Sequence, residues 1–250
     1  MICKTALLAI VFATAFPAVQ AATLTPIAAA VADPTRPAED KALDAERKPA
    51  EMLEFAGVKP GMTVVDLVPG GGYFTRLFAD AVGPTGKVLP YVPDEMLKGA
   101  KDPAKALDRL NGTATGHANV FPMHDPMLSP PPPGIADIVW TSQNYHDLHN
   151  IPAADLIAFN KVMFAALKPG GVYVVLDHAA AAGSGLRDTN TLHRIDPAVV
   201  KAEVLAAGFV FDGESKILAN PADDHTLKVF DPALRHHTDQ FIYRFRKPKR

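Results

Sequence analysis

The densest run of groups able to move a proton is Asn144-Tyr145-His146-Asp147-Leu148-His149. Histidine titrates near neutral pH, so it can take a proton from a reacting hydroxyl. Tyr145 and His146 are therefore the first catalytic candidates, and His178, closing the run VYVVLDH, is the next. The same histidines, with His149, Asp177 and His193, admit a metal-binding reading, because His146 and His149 share one face of a helical turn. The HExxH pattern is absent, and no metal ligand is assigned. Each histidine could also do no more than hydrogen-bond loop backbone.

A different chemistry is written into residues 63–75, TVVDLVPGGGYFT. A β-branched run ends at Asp66. Pro69 and three glycines, Gly70, Gly71 and Gly72, follow, and then a segment with helical spacing through Tyr73, Leu77, Phe78 and Ala81. This reads as buried strand, tight turn and helix, the first βα unit of a nucleotide-type cleft. Glycine lets a ligand approach the backbone, and the helix start offers free N–H groups. The dinucleotide pattern G-x-G-x-x-G fails at its last position, at Tyr73 or at Thr75, which weakens a nicotinamide dehydrogenase reading.

Pro60-Gly61, the strand ending in Asp66 and the glycine turn resemble motif I of class I S-adenosylmethionine-dependent methyltransferases. Leu167-Lys168-Pro169-Gly170-Gly171 before VYVVLDH is similar to that family's turn into its fifth strand, and Asp137-Ile138-Val139-Trp140 looks like its fourth. The resemblance covers roughly residues 45–245 and is nearest to bacterial methyltransferases that carry an export signal, a PGGG turn and a YHD motif. It implies S-adenosyl-L-methionine as cofactor. Gly70 and Gly72, with Gly71 between them, would pack under its methionine part, Asp66 would organise the turn and meet its amino group, and Asp125 would accept from its adenine. The motif's usual first glycine is Val68 here. The usual ribose-binding acid falls at Val92, leaving Asp94 or Glu95 as substitutes.

Elements that could position these residues alternate along the chain. Strands are expected near 62–68, after Gly86, near 118–122, and at 136–141 and 172–178. Helices are expected up to residue 82, over 94–110 with a break at Pro103, across 153–167 and over 197–207. Two alternating segments, 208–218 and 239–247, close the chain as an antiparallel pair. The fold class is thus α/β: a Rossmann-like, seven-stranded, mostly parallel sheet with helices on both faces and an antiparallel last strand. Residues 38–250 make one domain with an N-terminal helical extension, two helices meeting at Pro49.

Residues 1–21 read as a secretory signal peptide: Lys4, an apolar run over 6–16, and a small-x-small site ending at Ala21. Residues 22–37, rich in Ala, Pro and Thr, read as a linker. The expected location is exported, in the periplasm, with no stable membrane insertion after cleavage. Without Lys4, 24 basic residues stand against 27 acidic ones, a net −3, which does not suit nucleic acid. Cys3 is the one cysteine, so the mature chain has no disulfide and no cysteine nucleophile. A small-molecule substrate is the expected partner. Two functions remain: a methyltransferase acting on a small-molecule or envelope acceptor, or an exported non-catalytic binding module that keeps the fold. The second follows from Val68, from Val92 and from a cofactor made in the cytoplasm.

Overall fold

The computed structural model describes residues 24–129 and 131–249; the leader read over 1–21 and its cleavage site lie outside the described residues. The chain begins with α1 (Pro26–Ala32), α2 (Ala38–Lys41), α3 (Asp44–Arg47) and α4 (Pro49–Ala56). Pro49 opens α4 at its first turn, where its missing N–H has no helical partner to lose. Within the stretch read as a linker, α1 packs against the later helix α5 (Tyr73–Val82) and buries Ala30. Alanine suits both a flexible tether and a close helix contact, so composition alone did not separate the two.

The sheet strands are β1 (Thr63–Leu67), β2 (Lys87–Pro93), β3 (Met123–Asp125), β4 (Ala136–Ser142), β5 (Leu167–His178), β6 (Val210–Ser215) and β7 (Gln240–Arg246). The helices between them, after α5, are α6 (Asp94–Gly99), α7 (Pro103–Gly112), α8 (Tyr145–Leu148), α9 (Leu156–Ala166) and α10 (Pro197–Ala206). Asp102, Asp155 and Asp196 cap α7, α9 and α10 through their side chains. The strand order is β3-β2-β1-β4-β5-β7-β6, with β7 antiparallel to both neighbours. This is the expected seven-stranded, mostly parallel sheet. Side chains alternate along each strand. Val64, Ile138, Trp140, Val174 and Ile242 pack toward α1, α4 and α5. Val65, Leu67, Val139, Tyr173 and Phe245 pack toward α9 and α10.

The stretch before Pro49 expected as one helix is split into α2 and α3, and two strand boundaries also differ from expectation. The third strand is 123–125 rather than 118–122, because turn bonds from His117 and Val120 hold that stretch and leave only an isolated bridge to Val88. The strand β5 begins at Leu167, so Pro169, Gly170 and Gly171 lie within it. A register shift in the β4 pairing absorbs them, and a Cβ on Gly171 would come within 2.9 Å of the Lys168 carbonyl oxygen.

Strand order reverses between β1 and β4, the place where a cleft opens in such sheets. The chain leaves β1 there through Val68, whose φ is +53°. A β-branched residue rarely adopts that conformation. It is enforced from two sides: the Val68 N–H donates to Tyr91 O (2.8 Å), and its carbonyl accepts from Asn144 Nδ2 (2.8 Å). Such strain costs about 1–3 kcal/mol, partly offset by glycine's greater chain entropy. Val68→Gly is therefore expected to raise unfolding free energy by about 1 kcal/mol in urea titrations. An unchanged or lowered midpoint would show that side-chain packing outweighs the strain.

Candidate active site

Two adjoining cavities open at the carboxyl ends of β1, β4 and β5. The first, 240 Å³, is lined by Asp66, Val68, Pro69, Gly70, Gly71 and Asn144, with Asp40, Leu43 and Tyr73 from the N-terminal side. The second, 180 Å³, is lined by Leu176, His178, Leu218, Val229, Phe230, Thr238 and Gln240, with Arg235 and His236. Arg47, Phe74, Ser142 and Gln143 line both. Phe74 in turn packs on Trp140, ring centroids 4.8 Å apart, so the single tryptophan stands directly behind the shared wall.

In the first cavity a methyl group added to Gly70 or Gly71 would meet nothing within 4 Å, so a ligand can lie on this backbone. Gly72 does other work. It turns the chain into α5 at φ +82°, and a side chain there would strike Arg76 and Thr113. The turn is braced from outside: Arg76 donates to Gly71 O (2.9 Å) and pairs with both oxygens of Asp40 (2.7 and 2.8 Å).

The Asp66 carboxyl is buried at the end of β1, where its one side-chain hydrogen bond is from Thr75 Oγ1 at 2.5 Å. Burial pushes its pKa up to about 7, with the Thr75 bond opposing only in part. Arg47 contributes the opposite charge. Its guanidinium lies over the Tyr73 ring at 4.7 Å and pairs with no carboxylate among the described residues. This cation was not among the residues singled out in the sequence, because nothing in DAER marks an arginine that α3 will turn into a cleft.

Asp94 and Asp125 do not join this cavity. Asp94, at the start of α6, pairs with His124 (2.7 Å) and Lys98 (3.1 Å), which hold its pKa below the usual carboxylate range. Asp125 presents its backbone carbonyl to Tyr91 Oη. Glu95, the other substitute acid, accepts from Met127 N–H. At Val92 the side chain is buried in a small cluster with Leu97 and Leu110.

Of the proton-transfer candidates, His178 alone lines the second cavity. Burial pushes its pKa down to about 4, so the ring is neutral near pH 7; its Nδ1 is 2.7 Å from Thr238 Oγ1. Tyr145 points the other way. It is fully buried, donates to Glu203 (2.8 Å), accepts from Asn160 (2.7 Å), and burial raises its pKa far above normal. It is a core brace rather than a cavity residue. His149 is likewise occupied, with Nε2 3.1 Å from the same Glu203 carboxylate.

His146 lies one layer behind the second cavity. Its backbone N–H and its Nδ1 both reach the Asp177 carboxylate at 2.8 Å, and that carboxylate also accepts from the His178 N–H (2.8 Å). Burial would lower the His146 pKa and raise that of Asp177. Their mutual attraction outweighs it, so His146 is raised and Asp177 lowered.

No family model matches the chain. Among curated proteins it is 30% identical, over 190 residues, to the ubiquinone/menaquinone biosynthesis C-methyltransferase UbiE of Ectopseudomonas mendocina (strain ymp), a match covering 75% of this chain and 64% of that protein. The chain thus spans less than two thirds of that relative's length. Among solved structures, a SAM-dependent methyltransferase from Aquifex aeolicus superposes with a TM-score of 0.56 at 18% identity, covering 84% of this chain and 98% of that one. The N-methyltransferase NodS from Bradyrhizobium japonicum WM9 gives 0.56 at 14% identity, covering 84% and 99%. With its strand order, its glycine turn at the β1–β4 switch point and these neighbours, the chain has the Rossmann-like fold of the class I S-adenosylmethionine-dependent methyltransferases.

Proposed function

We propose that the protein is an S-adenosylmethionine-dependent methyltransferase for a small acceptor. The observation that carries this reading is one cavity lined by Asp66, by Arg47 with no carboxylate partner among the described residues, and by the open backbone of Gly70 and Gly71. A carboxylate and a guanidinium lining one cavity suit a zwitterionic amino-acid group, the ammonium toward Asp66 and the carboxylate toward Arg47. The residues present therefore fit the methionine end of the cofactor. Fewer fit its ribose, since Asp94 and Glu95 are engaged elsewhere. Bound there, the cofactor supplies a sulfonium-activated methyl group.

The chain's own part is largely positioning. Methyl transfer is an in-line displacement, and holding two reactants in line supplies much of the acceleration. Phe74, Leu176, Val229 and Phe230 offer an apolar bed in the second cavity, while His178, Thr238 and Gln240 offer a polar edge. An acceptor with a flat apolar body and one hydroxyl or carbonyl matches that wall. The related C-methyltransferases act in quinone biosynthesis by name, which agrees with such an acceptor. His178, neutral at pH 7, can accept a hydrogen bond from the acceptor, but its low basicity makes it an orienting group rather than the final proton store.

Export, in this reading, rests on the leader pattern in residues 1–21. No helix among the described residues is long and apolar enough to cross a membrane. Expression of the full chain in a bacterium with a periplasm should yield periplasmic protein whose first residue is Ala22, read by intact mass; retention of Met1 would overturn the export reading.

Titration calorimetry with S-adenosylmethionine and S-adenosylhomocysteine tests the function, with Trp140 emission as a second signal. Arg47→Met should weaken cofactor binding by about 1.5–3 kcal/mol, the value of a hydrogen bond to a charged group. No heat from either ligand would favour the non-catalytic module.

The Asp66 pKa adds a signed pH dependence. The folded pKa, about 7, exceeds the ordinary 3.8. Its protonated form therefore supports stability that is complete below about pH 4 and lost as pH rises through 7. Cofactor binding should show the reverse trend. The ammonium needs the ionised carboxylate, so affinity should rise from pH 6 to pH 8 with proton release on binding. Asp66→Asn should remove both the pH dependence and the released proton.

A further inference from the structure

The geometry points to a divalent transition-metal site, of the kind that takes Zn²⁺, formed by His146 Nε2, Asp147 Oδ1 and His193 Nδ1. Two of these atoms come from consecutive residues of the short helix α8 and the third from the loop before α10, 46 residues further along the chain than Asp147. His146 Nε2 lies 3.3 Å from Asp147 Oδ1 and 3.4 Å from His193 Nδ1, and the last pair is 3.5 Å apart. Donors held about 2.1 Å from a tetrahedral ion stand about 3.4 Å from each other. An octahedral ion at the same bond length would bring adjacent donors to about 3.0 Å, so the observed triangle suits a four-coordinate ion with one position left for water or another ligand. Two imidazoles and one carboxylate are a donor set for zinc-like ions rather than for Mg²⁺ or Ca²⁺.

The surrounding chain fixes the triangle in advance. The buried Asp177 carboxylate faces His146 Nδ1, which directs the lone pair of Nε2 toward the other two donors, the arrangement common behind metal-bound histidines. His193 holds φ +56°, a conformation a non-glycine residue adopts only when its neighbours impose it. They do so here: Arg194 on one side is fully buried, and the Leu192 carbonyl on the other accepts from Val229 N–H. With His146 donating through Nδ1 and His193 carrying its ring proton on Nε2, three lone pairs face one another, and a cation among them would satisfy all three. Phe230, on the wall of the second cavity, packs its ring on His193 with centroids 4.9 Å apart, so the ion would stand beside the proposed acceptor cavity. The remaining histidine candidates are accounted for elsewhere, His149 on Glu203 and His178 on Thr238.

The test needs no knowledge of the methyl acceptor. The metal-free chain is titrated with Zn²⁺ by calorimetry and with Co²⁺ by visible absorption, with Mg²⁺ as the hard-ion control. One equivalent of Zn²⁺ should bind, Co²⁺ should give the intense absorption of a four-coordinate ion, and Mg²⁺ should give no heat. His193→Ala and Asp147→Asn, both at partly exposed side chains, should abolish the cobalt spectrum. Asp177→Asn, which removes the charge behind His146 while keeping the side chain's shape, should weaken zinc binding about 10- to 100-fold in protein shown by circular dichroism to be folded. The double change His236→Ala and His237→Ala, in exposed residues outside the triangle, should leave binding unaltered. Absence of zinc binding by the folded wild type would overturn the assignment. So would binding that survives His193→Ala and Asp147→Asn but is lost with His236 and His237.

Discussion

A carboxylate with no exposure to water needs every lone pair it can satisfy, and Asp177 meets that need with three donors from two segments. Two come from His146 and one from the backbone at His178. The chain leaving β4 is thereby fastened to the end of β5 at one buried point. Leaving a charge unpaired in such a place costs several kcal/mol, so the three bonds form together or the local structure does not form. Everything on the acceptor side inherits this constraint: the direction of the His146 ring, the start of α8, and the place where His178 enters the second cavity.

The first cavity depends on a different balance. There the protein leaves charges incompletely paired rather than satisfied. Asp66 has one side-chain hydrogen bond in a dry position, Arg47 has an aromatic face in place of a carboxylate, and Val68 is held in a strained conformation between them. Stability is surrendered at a point where a ligand could recover it, a pattern typical of binding sites. The cost is supported from behind by the Asp40–Arg76 pair and by the Tyr73 hydroxyl, which donates to Asp44; both tie the N-terminal helices to α5 beside the glycine turn.

The sheet was legible because every strand but β3 carries a β-branched or alternating run and the turns carry Gly, Pro or Asp. The β3 strand escaped because three residues, Met123 to Asp125, leave no period to read, and α1 escaped because an Ala–Pro stretch has no polar face. The glycine turn and Asp66 were legible as a unit because they are contiguous. Tyr145 and His146 were not separable by sequence, since adjacent residues on a helical turn face about 100° apart and only the packing decides that Tyr145 meets Glu203 and His146 meets Asp177. Arg47 gave no signal, and His193 entered only as one of several histidines open to a metal reading, as the importance of each comes from contacts over long sequence separations. The split of duties among Gly70, Gly71 and Gly72 needed backbone angles.

The long connection between β6 and β7 has a further consequence. Arg194 and Asp223 are both wholly buried, and Arg194 also donates to the carbonyls of Ala179 and Leu227. Asp223 accepts in turn from the backbone at His225 and Asp239. Swinging this segment away as a hinged flap would strand a guanidinium and a carboxylate in the interior, so the backbone roof over the second cavity is a fixed ceiling. Traffic through it falls to exposed side chains such as Phe230 and Arg235, which reorient in picoseconds to nanoseconds. Passage is then filtered by molecular girth, with bulky compounds turned away at the doorway however well their reactive edge would fit inside.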